Sequence, residues 1–132
     1  MYLSLQGNAG LGKAIEYFTS HGMPVSIPLN DTQKYDIVVD MGGRLARVQV
    51  KTSRNKQKSG SYEVLLKHCG VSGGRNIVTR FDKQGSDYLF IYTGDGKTYL
   101  IPTESIAGTS AICVGTKYSE YEVQSRSLTA FA

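Results

Sequence analysis

The sequence predicts an α/β (α+β) fold in which one N-terminal helix packs on a mixed, mostly antiparallel sheet. Three observations support this prediction: apolar residues recur at helical spacing near the N-terminus, a Gly-Gly pair separates two apolar runs, and a second glycine-containing turn separates another pair of runs. Short turns of this kind join antiparallel strands, which argues against a doubly wound parallel sheet. The 132 residues are typical of one domain. We predict a core over about 9–106 and a tail, 107–132, to which the sequence assigns no role.

The helix is predicted to begin at Asn8, a favourable N-cap residue, and to end before Gly22 and Pro24, which are typical of helix ends. An alternating apolar pattern over 25–29 predicts a short strand after it. The apolar face of the helix follows the i, i+3, i+4, i+7 pattern and consists of Leu11, Ala14, Ile15 and Phe18.

In the segment 7–14, the first seven residues also fit the first seven positions of a phosphate-binding P-loop, and the run 2–5 before them resembles a strand. Two observations argue against this interpretation. Ala14 provides no hydroxyl for Mg²⁺, and the acidic strand end at Asp40 leads into a hairpin instead of a helix. We therefore interpret these glycines as an adaptable entry into the helix.

A hairpin is predicted where Gly42 and Gly43 separate two apolar-rich runs, because this pair favours a two-residue primed turn. Asp36 then faces Gln49 across the hairpin, with Cβ atoms about 5 Å apart, and strand alternation places Lys51 on the same face. An acid, an amide carbonyl and an ammonium would thus meet at the open end. Such a cluster suits a divalent metal beside a phosphate, although a solvated sheet face with a salt bridge has the same spacing.

The rest of the chain alternates between predicted strands and connections. We expect a basic loop over 54–61, a strand over 62–66, a flexible connection over 68–76, a hairpin of 87–92 with 97–101, and a short helical turn over 102–106.

The formal net charge is +4, and the positive charge is concentrated in one segment. From Met41 to Tyr62 the chain has no Asp or Glu, whereas it contains six basic residues: Arg44, Arg47, Lys51, Arg54, Lys56 and Lys58. Such a segment would attract a polyanion such as nucleic acid. A solvated loop that keeps the protein soluble explains the same charges equally well.

We expect a cytoplasmic protein. No run is apolar enough to span a membrane, and the N-terminus lacks the regions of a signal peptide. The two cysteines, Cys69 and Cys113, have neither metal-ligand nor disulfide spacing, which predicts reduced thiols.

Several of these features together resemble the PD-(D/E)XK nuclease superfamily. The features are a helical Gly12-x-x-x-Glu16, the pair Tyr35-Asp36, and Gln49-x-Lys51. The segments 26–28, 33–36 and 47–52 are similar to the small group I intron homing endonucleases of that superfamily. The resemblance is clearest over 12–52, is looser over 87–102 and does not extend to the tail.

The resemblance implies a restriction-endonuclease-like core and a Mg²⁺-dependent DNA endonuclease, with Mn²⁺ as a substitute metal. The catalytic residues implied are Glu16, Asp36, Gln49 and Lys51, and the metal ligands are Asp36, Gln49, the Val50 carbonyl and Glu16. Gln49 departs from the general motif, which has an acid there, but matches the intron-encoded branch. A Gln carbonyl still suits Mg²⁺. It brings no negative charge, so we expect weaker metal affinity.

The predicted partner is double-stranded DNA. The residues predicted to contact it are Gln33, Arg47, Arg54, Lys56, Lys58 and Arg75. Because one such site cuts one strand, a homing-type double-strand cutter would be a homodimer or homotetramer, encoded by a bacterium or a phage. Two alternatives remain open: a structure-specific nuclease such as a Holliday junction resolvase, and a DNA-binding module weakened in catalysis by Gln49.

Overall fold

The computed structural model describes residues 3–30 and 32–127. One helix, α1 (Leu3–Ser20), is followed in this part of the chain by ten strands and two short 3₁₀ turns, Thr103–Ser105 and Ser119–Tyr121. The strands are β1 (Val25–Ser26), β2 (Ile37–Asp40), β3 (Leu45–Ser53), β4 (Tyr62–Leu65), β5 (His68–Ser72), β6 (Arg75–Thr79), β7 (Tyr88–Thr93), β8 (Thr98–Pro102), β9 (Ala111–Val114) and β10 (Glu122–Val123).

The central sheet has the order β1-β2-β3-β7-β8-β10. Its pairs are antiparallel except β3 with β7, which run parallel from Val48 opposite Tyr88 to Ser53 opposite Thr93. Two further two-stranded sheets consist of β4 with β9 and of β5 with β6. The predicted mixed, mostly antiparallel sheet with an N-terminal helix packed on it is confirmed.

The β2–β3 hairpin has the predicted register. Ile37 pairs with Val48 and Asp40 with Leu45, and the Met41 N–H donates to the Arg44 carbonyl at 2.8 Å. Gly42 and Gly43 both have positive φ, 70° and 90°, which a primed two-residue turn requires.

Helix α1 begins at Leu3, so the predicted start at Asn8 is wrong and the strand-like run 2–5 becomes helical where it is described. The P-loop alternative fails as well, because residues 7–14 lie inside the helix instead of forming a loop. The helix tolerates its glycines because tertiary packing outweighs their poor intrinsic propensity. Ala14 and Phe18 are fully buried against Ile37, Val48 and Phe90 of the sheet.

The prediction for 68–76 as a flexible connection is also wrong. Ser72 pairs with Arg75 and His68 with Thr79, and the turn between the strands is Gly73-Gly74, whose φ values are 59° and 76°. We call residues 68–79, which form β5 and β6, the ribbon.

The other predicted elements fit with small differences. β4, the β7–β8 hairpin and the 3₁₀ turn at Thr103–Ser105 occur as expected. β1 ends at Ser26 and is shorter than predicted. Beyond its end, Ile27 and Leu29 are 60% and 105% exposed. The tail supplies β9, which pairs with β4, and β10, which pairs with β8, so it contributes to the sheets as far as Val123.

A second core lies under the β4–β9 sheet and includes Val64, Leu89, Ile101 and Val114, all at most 1% exposed. Cys113 is a free thiol, whereas the Cys69 side chain lies outside the described residues. Within residues 3–30 and 32–127, the helix is too polar to be a membrane span.

Candidate functional site

Asp36 lies directly before β2, and its side chain is fixed by the neighbouring strand. Its Oδ2 accepts a hydrogen bond of 2.7 Å from the backbone N–H of Val50, and its own N–H donates to the Val48 carbonyl at 2.9 Å. Val48 is also the partner of Ile37. Asp36 therefore leaves the regular ladder at the position where it would face Gln49. Its carboxylate lies at the open end of the hairpin.

A cleft of about 440 Å³ brings together the residues of the predicted cluster. Asp36, Gln49 and Lys51 all line it, together with Val50. We call it the Asp36 cleft. Its remaining lining residues come from the segment before β2 and from the two ends of the ribbon: Thr32, Gln33, Lys34, Leu66, Thr79, Arg80, Phe81 and Asp82.

The ammonium of Lys51 is held in a poorly solvated position beside a carboxylate. Burial lowers the pKa of Lys51 below its ordinary value of 10.5, and attraction to Asp36 acts in the opposite direction. A positive charge that is partly withdrawn from water interacts more strongly with a nearby anion than an exposed one does. Lys51 is thus suited to stabilise negative charge in the cleft.

The cleft contains a second carboxylate that the sequence analysis missed. Asp82 Oδ2 accepts from Lys34 Nζ at 3.2 Å, and its Oδ1 accepts from the Gln84 N–H at 2.9 Å. These hydrogen bonds, led by that from Gln84, lower the pKa of Asp82. No local pattern relates residue 82 to residue 36, because the ribbon separates them in the chain. Only tertiary structure brings them to one cleft.

The structure does not bring Glu16 to this cleft. Glu16 lines a separate cavity of about 260 Å³ with Asp95 and Glu122, and its carboxylate is 4.0 Å from Lys13 Nζ. Lys13 lies over the ring of Tyr92 on β7. Glu16 therefore extends towards β7 and β8 and is not among the residues that line the Asp36 cleft, so its assistance at Asp36 stays a prediction.

The residues predicted to contact DNA lie in three places. Gln33 lines the Asp36 cleft. Arg47 is engaged by Asp87, which accepts from its backbone N–H at 2.8 Å and from its guanidinium at 3.3 Å. Exposed positions beyond the cleft are occupied by Arg54, Lys56 and Lys58 after β3, and by Arg75 at the turn of the ribbon.

The opposite face of β3 packs closely on the helix. A Cβ atom added to Gly10 would lie less than 3.0 Å from Thr52 Oγ1 and 3.3 Å from Val50 Cγ1. Thr52 Oγ1 is buried and has no hydrogen-bond partner among residues 3–30 and 32–127. The absence of a side chain at Gly10 thus lets α1 approach the strand that carries Gln49 and Lys51.

In the part of the chain that the structure describes, no three His, Cys, Asp or Glu side chains form a metal-binding group. The predicted ligands that line the Asp36 cleft are instead of mixed type: the Asp36 carboxylate, the Gln49 amide and the Val50 backbone. Such a donor set fits a hard divalent cation, with lower affinity than a set of several carboxylates.

Comparisons with known proteins identify the family and a similar fold. The family model described as PD-(D/E)XK endonuclease matches residues 1–131. The solved structure of a bacterial homing endonuclease, I-Ssp6803I, is similar to this chain with a TM-score of 0.77 and 24% sequence identity, covering 99% of this chain and 88% of that one. None of the curated proteins searched matches.

Proposed function

We propose that this chain, which belongs to the PD-(D/E)XK endonuclease family, hydrolyses phosphodiester bonds of double-stranded DNA at the Asp36 cleft with the help of a divalent metal. One observation supports the proposal most strongly. A single cleft is lined by Asp36, which lies directly before β2, and by Gln49 and Lys51 of β3. There the Val50 N–H orients the Asp36 carboxylate.

The metal would be held by the Asp36 carboxylate, the Gln49 side-chain carbonyl and the Val50 backbone carbonyl. These are the oxygen ligands that Mg²⁺ prefers, and Mn²⁺ is accepted by similar donors. Bound there, Mg²⁺ would polarise the phosphate and acidify a water molecule. Glu16 would have no part in this metal site, because it lines the other cavity.

Lys51 would act on the substrate directly. Its ammonium lies beside Asp36 in a partly buried position, where a positive charge stabilises the negative charge that develops on a phosphate under attack. The hydrogen bond from Val50 to Asp36 leaves the second carboxylate oxygen, Oδ1, available for a ligand. Asp36 would thereby hold the cation, and Lys51 would hold the phosphate.

The positive surface around the cleft would hold the flanking DNA. Arg54, Lys56 and Lys58 lie in the exposed loop that follows β3, directly beyond Lys51, and phosphate contacts of this kind give affinity and register. Gln33 would contact DNA inside the cleft. Arg47 would contribute only when its guanidinium turns from Asp87 to a phosphate.

The mode of cutting that we propose is site-specific cleavage of both strands by a cytoplasmic homodimer or homotetramer of bacterial or phage origin. The fold similarity to a homing endonuclease supports this, as does the need for two sites to cut two strands. A junction resolvase would use the same cleft on a four-way junction. A DNA-binding module would retain the basic surface but lack cleavage.

Cleavage assays on a supercoiled plasmid library and on four-way junctions, with Mg²⁺, Mn²⁺ or EDTA, separate these functions. We expect metal-dependent linear products from duplex DNA, and a loss of at least 100-fold in Asp36→Asn and Lys51→Ala, because each removes a charge that the reaction needs. Glu120→Gln, an acid-to-amide change at an exposed residue of the second 3₁₀ turn, is the control. Cleavage that survives Asp36→Asn would refute the site. Binding without cleavage of any substrate would favour the module.

A further inference from the structure

The ribbon is a separate element whose ends are fixed in the core. Leu66 and Phe81, just before and after it, are 2% and 7% exposed. The Leu66 N–H donates to the Ser110 carbonyl at 2.8 Å, and the Phe81 N–H donates to the Thr109 carbonyl at 2.9 Å. Between these anchors, and among the strands that the structure describes, β5 and β6 pair only with each other. The ribbon therefore projects from a firm base.

Both faces of β6 are open to solvent. All five of its residues are exposed, including Ile77 and Val78, which are 45% and 58% exposed although they lie on opposite faces of the strand. An isolated two-stranded ribbon is marginally stable by itself. The exposed apolar side chains on the two faces of β6 indicate that a partner covers this strand in the functional state.

The charge of the ribbon and of the residues directly before and after it indicates which partner. No Asp or Glu occurs from Val64 to Phe81, whereas Lys67, Arg75 and Arg80 are all exposed. A second copy of the ribbon would bring like charges together, whereas nucleic acid would neutralise them. Charge complementarity therefore favours a polyanion over self-association.

The ribbon also has suitable dimensions and position. A two-stranded β-ribbon fits the major groove of B-DNA, which is about 12 Å wide and 8.5 Å deep, and the five residue pairs of the ribbon extend over roughly 17 Å. The Gly73-Gly74 turn adds no side-chain bulk at the tip. Thr79 and Arg80, at the base of β6, line the Asp36 cleft. DNA held with a phosphate in that cleft would pass beside the ribbon.

We propose that the ribbon enters the major groove of duplex DNA and reads base edges next to the cut, with Arg75 and Asn76 at its tip as the specificity-determining residues. Arg recognises guanine O6 and N7 with two hydrogen bonds, and Asn recognises adenine N6 and N7 in the same way. The exposed Ile77 and Val78 suit contact with thymine methyl groups. At about 3.4 Å per base pair, the ribbon reaches bases within roughly five base pairs of the cut phosphate.

The inference rests on the proposed function, since it places the ribbon beside a cut phosphate, but its test does not require cleavage. The Lys51→Met protein is used to select duplexes from a randomised library, and the enriched bases are sequenced. The same selection is repeated with Arg75→Lys, which keeps the charge but loses the two-pronged contact, and with Arg75→Ala/Asn76→Ala. Lys117→Ala, a change at an exposed cation that follows β9, is the control.

We expect Arg75→Lys to reduce preference at one or two base positions by about 5- to 150-fold while its affinity for random duplex stays within a few-fold. The control should leave the pattern unchanged, and thermal unfolding should be the same in all these proteins because the substituted side chains are exposed. An identical pattern in both ribbon variants, or no pattern in the parent, would overturn the inference. So would a fall in oligomer mass with unchanged base preference, which would assign the ribbon to self-association. A base pattern that depends on Arg75, found in a protein that cuts no DNA, would refute the proposed function alone.

Discussion

The close approach of α1 to β3 makes Gly10→Ala a decisive test of how the helix positions the candidate site. Replacing a helical Gly by Ala stabilises a helix by about 1 kcal/mol when nothing else changes. At Gly10, however, the new Cβ would lie less than 3.0 Å from Thr52 Oγ1 and 3.3 Å from Val50 Cγ1. Overpacking of this kind costs about 1–3 kcal/mol. We therefore expect Gly10→Ala to reduce the free energy of unfolding by up to about 2 kcal/mol, despite its better propensity.

A second substitution isolates the clash. Thr52→Ala removes a buried hydroxyl that has no partner among the described residues, which should raise the free energy of unfolding by about 1–3 kcal/mol. It also removes a buried methyl group, which should lower the free energy of unfolding by about 1 kcal/mol. We therefore expect Thr52→Ala to have a small effect on stability. In the Thr52→Ala background, Gly10→Ala should become stabilising by up to about 1 kcal/mol. The two changes should therefore be coupled by roughly 2–3 kcal/mol.

Urea unfolding of the four proteins measures this coupling. Thermal unfolding should follow it, with a shift of roughly 4 °C per kcal/mol for a chain of this length. Stabilisation of the wild-type protein by Gly10→Ala, or changes that simply add, would refute the close approach on which the reasoning depends.

Three further predictions concern the charges. Burial lowers the pKa of Lys51 below 10.5, so between the folded and unfolded pKa values the unfolded state binds more protons and stability rises with pH. Lys51→Met should abolish this rise in urea titrations and should be more stable than the wild-type protein at pH values below the rise. An unchanged pH slope in Lys51→Met would contradict the prediction. Gln49→Glu adds a carboxylate to the Asp36 cleft and should tighten Mg²⁺ binding in calorimetry by about tenfold, the size of typical effects on metal ligands; unchanged affinity would place the metal elsewhere. Glu16→Gln should retain cleavage, because Glu16 lines the other cavity beside Lys13; a loss above tenfold would return Glu16 to the site.

The sequence was most informative where structure is local. Gly42-Gly43 determines the register of the β2–β3 hairpin, and that register largely determines how Gln49 and Lys51 relate to Asp36. The same Gly-Gly signal occurs at 73–74, yet the ribbon was missed because Gly70 interrupts its first strand and no clear alternation flanks the turn.

Features that depend on distant parts of the chain were not predictable. The parallel pairing of β3 with β7 and the pairing of β9 with β4 join segments far apart in sequence. Helical periodicity indicates which residues of α1 face the sheet. It does not indicate over which side of the sheet the remaining residues, such as Glu16, lie. The proximity of Asp82 to the Asp36 cleft has the same non-local origin.

The central claim, that Asp36 and its neighbours form a metal site, is tested most directly by paramagnetic broadening. Amide signals of the ¹⁵N-labelled protein are followed as a small amount of Mn²⁺ is added. The Val50 N–H, which donates to Asp36 Oδ2 at 2.7 Å, should broaden among the first signals together with that of Lys51, and Asp36→Asn should abolish the effect. Early broadening beside Glu16 instead, or equal broadening of Val50 in Asp36→Asn, would contradict the account.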